Sequence, residues 1–181
     1  MKNKVDLMFI SEPNRKICSK ECWFMDKRGD VAVKVCSRTI ELEGIKLYNG
    51  YICVSLPKLK IYATYIPPNV TMQRFKESAD AVFEKAAQQP QASIILGDLN
   101  SKSEIWGSPR ADLRGEHIEG WLSQLRWGAA NSGKHTFERA ALGATSTSPS
   151  DQKEPCGVYV VCMLMSEHVL FRSSVLIDEF R

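Results

Sequence analysis

Between residues 59 and 100 the hydrophobic pattern changes period twice. Leu59–Ile66 is apolar enough for a buried strand and is closed by Pro67-Pro68. Met72, Phe75, Ala79, Val82, Phe83 and Ala86 then repeat at helical spacing, with Thr71 placed to cap the start and Pro90 to end the run. Ala92–Leu96 returns to a short continuous apolar run, which reads as another strand. A chain that switches in this way is confined to α/β architectures, because each apolar face must be buried against another layer. The flanking segments agree. Val5–Ile10, Val31–Cys36 and Tyr51–Ser55 are further strand candidates, and residues 11–29 read as polar and irregular. Ile118, Trp121, Leu122 and Leu125 mark a second amphipathic helix, whose stripe reads as core, so Trp121 is expected to be buried rather than to stack on a base. Some strands are joined by turns and others are separated by a helix. That suggests two packed sheets with helices outside, although periodicity alone does not fix the topology.

The strand at 92–96 ends in Gly97-Asp98-Leu99-Asn100. Residues two apart in extended backbone point to the same side. A carboxylate that can take a proton from water and a carboxamide that can donate to a charged oxygen therefore leave the strand end together. The same four residues are good turn chemistry, so both readings stand at this stage. Glu12 follows Val5–Ile10 and precedes Pro13, which requires an extended or turning exit; its carboxylate suits a hard cation, and a loop-capping surface Glu is the alternative. Tyr65 ends its strand before Pro67-Pro68, with a hydroxyl able to bond a phosphate oxygen. Tyr62, three residues earlier, lies on the opposite face. Beyond Asn100, the cations Lys102, Arg110 and Arg114 flank Trp106. One aromatic among cations suits a DNA backbone and an exposed base, and equally a solvated loop.

Composition sets bounds on these readings. The 181 residues fit one domain with a sizeable core, and the net charge of +3 does not by itself demand a polyanionic partner. Residues 1–142 nevertheless hold 21 Lys and Arg against 16 Asp and Glu, so the body is basic while the tail is acidic. None of the six cysteines forms a C-x-x-C pair and only three histidines occur, which argues against zinc. Cys36 and Cys53 read as small core residues. Neither a signal-like N-terminal segment nor a run of membrane-spanning length occurs, so a reducing intracellular setting is expected.

Five segments, taken in order and spacing, carry a family likeness. They are Ile10-Ser11-Glu12-Pro13-Asn14; Arg28-Gly29-Asp30-Val31-Ala32-Val33; Tyr65-Ile66-Pro67-Pro68-Asn69; Gly97-Asp98-Leu99-Asn100; and Trp106-Gly107-Ser108-Pro109-Arg110 with Arg114-Gly115-Glu116. Together they resemble the endonuclease domain of non-LTR retrotransposons, with particular likeness to insect elements that insert into ribosomal RNA genes. That domain belongs to the endonuclease/exonuclease/phosphatase superfamily and is similar to apurinic endonucleases. The likeness covers roughly residues 5–143. It implies a four-layer α/β sandwich of two mixed sheets with outer helices, with the site at one end of the sheets. It implies Mg²⁺ or Mn²⁺ as cofactor with Glu12 as ligand. Asp98 takes the role of general base, Asn100 that of water orienter or transition-state stabiliser, and Tyr65 that of site tyrosine. It also implies DNA as substrate, a nick as product, a reverse transcriptase as partner in the parent element, and a nuclear setting.

Two departures from the pattern shape the expectation. The family opens with a strand carrying a metal-coordinating Asn and a helix before the Glu strand; Asn3 is too close to Val5 to substitute. After residue 143 the likeness is lost. Pro149 argues against a central strand in the Ser/Thr tract, and Ser166-Glu167-His168 only echoes the family's Ser-Asp-His motif. Residues 144–156 are expected to be poorly ordered, and 157–177 to pack imperfectly at a sheet edge with His168 away from Asp98. His117 and His135 match no catalytic position. The chain is thus expected to be a partial domain, 1–143, with a divergent segment, 144–181, and weak or absent nuclease activity. A non-catalytic DNA- or protein-binding module of the same fold, and a phosphatase of the same superfamily, are the alternative readings.

Overall fold

The computed structural model describes residues 6–19 and 22–129. Seven strands and three helices follow in chain order among these residues: β1 (Leu7–Ser11), α1 (Arg15–Cys18), β2 (Trp23–Met25), β3 (Val31–Val35), β4 (Gly44–Leu47), β5 (Tyr51–Ser55), β6 (Leu59–Tyr65), α2 (Met72–Ala87), β7 (Ala92–Asp98) and α3 (Leu113–Leu125), with a 3-10 turn at Glu104–Trp106 between β7 and α3. They form two sheets. One is antiparallel, in the order β1-β3-β2; the other is mixed, in the order β4-β5-β6-β7, with β6 and β7 parallel. The parallel pair follows from the strand–helix–strand period: α2 supplies the crossover that a parallel connection needs. Thr71 caps α2 as its sequence position suggests, its side chain accepting from the Arg74 amide.

Alternation along β5, β6 and β7 divides the core. Tyr51, Cys53, Tyr62 and Ile95 face the helices and pack with Phe75, Phe83, Ile118 and Leu122. Ile52, Val54, Ile61, Ala63, Tyr65, Ile94 and Leu96 face the other sheet and meet Leu7, Val31 and Val33. Each strand is therefore buried on both faces, which is why these runs are continuously apolar. On the helix side, Trp121 stacks on Phe83 and donates to Asp80, which also engages His117 at 2.6 Å and so joins α2 to α3.

Three expectations change. Residues 11–29, read as irregular, contain α1 and β2, and β4 had no periodic signal. Strands of three or four residues, partly exposed at a sheet edge, are too short to print a period in sequence. Cys36 is exposed just past the end of β3, so only Cys53 of that pair is a core cysteine. No helix among the described residues is long and apolar enough to cross a membrane. His135, His168 and the segments 144–156 and 157–177 lie outside the described residues.

Burial, with Tyr48 and Cys53 close by, pushes the Tyr51 hydroxyl from about 10 up to about 12. Tyr62 moves in the same direction, chiefly through burial. The unfolded chain gives up the Tyr51 proton first, so its contribution to stability is fully present below pH 10 and is lost as pH rises through 12. Urea midpoints are expected to fall steeply over that window, and Tyr51→Phe to flatten the fall. An unchanged slope in that variant would remove Tyr51 as the cause.

Candidate active site

The C-terminal ends of β1, β6 and β7 meet at one end of the two sheets, since β1 packs against β6 and β7 and the latter two run parallel. Tyr65 is the register partner of Asp98, and the Ile66 amide donates to the Asp98 carbonyl at 2.9 Å. Across the gap between sheets, the Tyr65 hydroxyl donates to Glu12 Oε1 at 2.6 Å. Glu12, Tyr65 and Asp98 are thus brought together from three strands. Tyr62 faces the helices, where its hydroxyl donates to the Lys85 carbonyl. The alternation argument therefore separates the two tyrosines correctly.

The strand ends turn sharply at the candidate residues. Glu12 has φ 51° and Asn100 has φ 46°. The left-handed region costs a non-glycine residue on the order of 1 kcal/mol or more, and such strain persists where the surroundings fix it. Here the surroundings are visible. The Glu12 amide donates to the Asp30 carbonyl at 2.9 Å. The Asn100 amide donates to Asp98 Oδ1 at 2.9 Å, and its Nδ2 donates to the Ile66 carbonyl at 3.0 Å. The Gly-Asp-x-Asn segment is a side-chain-closed turn and a site candidate at once: the turn holds the carboxylate and carboxamide in place.

Asp98 is 6% exposed, so its carboxylate sits at the floor of this end rather than on the rim. The donor set of Glu12, Asp98, Asn100 and Tyr65 is all oxygen apart from one amide nitrogen. That chemistry fits Mg²⁺ or Mn²⁺ and not a soft or nitrogen-seeking metal. Among the described residues no three His, Cys, Asp or Glu side chains converge as a metal cage. Mg²⁺ is commonly held by one or two carboxylates with phosphate and water, so Glu12 with Asp98 nearby is a fitting protein contribution. Tyr65 fixes the Glu12 carboxylate through Oε1, which sets the direction of Oε2.

The segment after Asn100 departs from its sequence reading. Trp106 is 2% exposed and its indole donates to the Ser101 carbonyl at 3.1 Å, so it is a core residue and no base can stack on it. Arg114 is half-buried and bonded within the protein. Its guanidinium donates to the carbonyls of Pro67, Pro68, Val70 and Asn100, and lies 5.0 Å from the Phe75 ring centroid. It ties the loop after Tyr65 to Asn100. Gly115 explains its neighbour in the motif: a Cβ there would lie 1.7 Å from the Lys102 carbonyl oxygen, where the loop crosses α3. Asp112 completes the closure, accepting from Lys102 and Gly115 amides. Lys102 and Arg110 are exposed on this loop.

Arg114→Ala is expected to lower stability by roughly 2 kcal/mol, because three half-buried carbonyls and one exposed carbonyl lose a charged donor. Arg114→Lys should recover only part of that, since an ammonium cannot reproduce the planar fork. Urea denaturation reads both; a loss under about 0.5 kcal/mol in the alanine variant, the range of an ordinary surface change, would refute the clamp.

One residue that sequence reading missed is Asp26. It is 4% exposed and accepts from the amides of Arg28, Asp30, Val31 and Gly50. The available signal was Asp26-Lys27-Arg28-Gly29, an Asp three residues before Gly, which is turn chemistry.

Two packed sheets with a crossover helix, and an acid, a tyrosine and an Asp-x-Asn turn at one end, define an α/β sandwich of the endonuclease/exonuclease/phosphatase type. The endonuclease-reverse transcriptase family model matches residues 59–172, and the chain belongs to that family. Its fold is similar to the endonuclease domain of TRAS1, a telomere-specific non-LTR retrotransposon, with a TM-score of 0.59 at 21% identity over 88% of this chain and 72% of that one. It is also similar to an AP endonuclease from Archaeoglobus fulgidus, with a TM-score of 0.55 at 13% identity over 90% of this chain and 77% of that one. No curated protein matches the sequence.

Proposed function

We propose that the chain hydrolyses a phosphodiester bond of DNA with the help of Mg²⁺ or Mn²⁺, leaving a nick in one strand. The observation that carries this reading is the Tyr65 hydroxyl on Glu12 Oε1, in a strand whose register partner is Asp98. A carboxylate for a cation, held in place by the Tyr65 phenol, and a buried carboxylate for water then share one end of the fold. Asp98 takes a proton from the attacking water. Water oxygen bonds to phosphorus as the bond to the 3′ oxygen breaks, and solvent reprotonates that oxygen. Asn100, its Nδ2 anchored on Ile66, holds the attacking water or the charged phosphoryl oxygen in line. Glu12 would hold the divalent ion, with phosphate and water filling the remaining positions. A bound ion would polarise the phosphoryl group and stabilise charge on the leaving oxygen. Lys102 and Arg110 are proposed to meet the DNA backbone, where positive charge gains by releasing counterions.

The proposal includes slow turnover, because Ser166-Glu167-His168 only echoes the family's Ser-Asp-His pattern, although the family match itself runs on to residue 172. Loss of one such donor lowers a rate by on the order of a hundred- to a thousand-fold. A nuclear setting, and a reverse transcriptase as partner in a parent element, are part of the proposal and rest on the family alone. Supercoiled plasmid incubated with excess protein and Mg²⁺ tests the reading. Relaxed circles in Mg²⁺ and none with a chelator are expected. Plasmid bound but never nicked would favour the non-catalytic binding module instead, and release of phosphate from a sugar phosphate without nicking would favour the phosphatase.

A further inference from the structure

Five hydrogen bonds close into a ring around the Glu12–Tyr65 pair. The Glu12 amide donates to the Asp30 carbonyl at 2.9 Å. The Asp30 amide donates to Asp26 Oδ1 at 2.6 Å. The Gly50 amide donates to the other oxygen, Asp26 Oδ2, at 2.8 Å. The Tyr65 amide donates to the Gly50 carbonyl at 3.2 Å, and the Tyr65 hydroxyl returns to Glu12 Oε1 at 2.6 Å.

Asp26 follows β2 of the antiparallel sheet, and Gly50 precedes β5 of the mixed sheet. Its two oxygens therefore link the sheets at the end where the candidate residues lie. The ring crosses between sheets at only two side-chain bonds: the hydroxyl of Tyr65 on Glu12, and Asp26 on Gly50. Gly50 itself is constrained. It has φ 88°, and a Cβ there would lie 1.6 Å from the Arg28 guanidinium. Thr64 adds a second donor to the Gly50 carbonyl at 3.1 Å, so the turn is fastened to the end of β6 from both sides. If the Asp26 link opens, the turn carrying the Asp30 carbonyl that fixes the strained Glu12 backbone and the turn carrying the Gly50 carbonyl that fixes Tyr65 stay joined by the Lys27 amide on the Tyr48 carbonyl at 2.9 Å, but lose the two-oxygen carboxylate that sets Asp30 and Gly50 against each other.

We propose that Asp26 is a positioning residue that holds Glu12 and Tyr65 in hydrogen-bond contact. The geometry of that contact stands by itself, while its consequence for metal binding rests on the reading of Glu12 as a divalent-ion ligand. Asp26 touches no reacting atom in this scheme; it acts through two backbone turns. Asp26→Asn keeps the shape but aims an N–H at converging N–H donors, so one side of the link must open.

The test uses the full chain with ¹³Cζ-labelled tyrosine, the Tyr65 resonance being assigned by its absence in Tyr65→Phe. Each variant is then titrated with Mg²⁺. Asp80→Asn, which weakens the α2–α3 tie on the helical face, controls for a general loss of stability. In Asp26→Asn the Tyr65 resonance is expected to move toward that of a solvated phenol, and the Mg²⁺ dissociation constant to rise by about tenfold or more, as for other residues that orient a ligand. Asp80→Asn should do neither. If Asp26→Asn does not fold, Asp26→Glu is read in the same way, because a carboxylate displaced by one methylene cannot meet both turns. Tyr65 and Mg²⁺ responses unchanged in the Asp26 variant, or equally changed in Asp80→Asn, would overturn the inference. A Tyr65 shift specific to the Asp26 variant, in a protein with no Mg²⁺ response at all, would uphold the positioning role and defeat the metal reading.

Discussion

Asp98→Asn is expected to slow plasmid nicking by on the order of a thousandfold while leaving DNA binding intact, the range over which a positioned base contributes. The substitution is suited to the question. A carboxamide oxygen can still accept the Asn100 amide, as Asp98 Oδ1 does at 2.9 Å, so the turn has its closing bond. The Ile66 amide bonds to the backbone carbonyl of residue 98 and is untouched. What is lost is the capacity to take a proton from water. Single-turnover nicking with excess protein, compared with plasmid retention at the same concentrations, separates chemistry from binding. A rate within threefold of the parent chain would remove Asp98 from the role of base.

The largest effect on stability is expected at Gly97. Its φ is 134°, and an added Cβ would lie 1.8 Å from the Thr64 carbonyl oxygen. Both the backbone conformation and the space exclude a side chain, and the obstacle is backbone in the neighbouring strand rather than a flexible side-chain end. Gly97→Ala must push β7 away from β6, one residue before the Tyr65–Asp98 pair. A loss of about 4 kcal/mol or more is expected, at the upper end of single substitutions. That corresponds to a fall of roughly 10 °C in the thermal midpoint for a chain of this size. A fall of only a degree or two would mean that the strands part easily there, and that the Tyr65–Asp98 register is loosely held.

The contrast between these residues and others explains what a sequence can reveal. The β6–α2–β7 unit was legible because its residues repeat: burial on both faces writes apolar runs, and the helix writes a 3.6-residue stripe. Tyr65 against Tyr62 was legible because alternation is local. The Gly97-Asp98-Leu99-Asn100 turn was legible because each residue type has its own local reason. Trp106 misled because an aromatic in a polar loop looks the same in sequence whether it is exposed or buried, and the internal bonds of Arg114 had no local signal. Only the fold brings the Pro67, Pro68 and Val70 carbonyls under Arg114, across more than forty positions of chain. At Asp26 the local turn chemistry was legible, but its reach to the other sheet was not, for the same reason. Its bond to Gly50 joins two turns in different sheets, and neither turn signals the other.

The central claim is that Glu12, steered by Tyr65, holds a divalent ion at the end of the sheets beside Asp98. Thermal denaturation of the parent chain and Glu12→Gln across a Mg²⁺ titration tests it most directly, because a ligand that binds only the folded state raises the midpoint according to its affinity. The midpoint of the parent chain is expected to climb with Mg²⁺ while that of Glu12→Gln stays flat. Equal climbs in both proteins, or none in the parent chain, would contradict the claim.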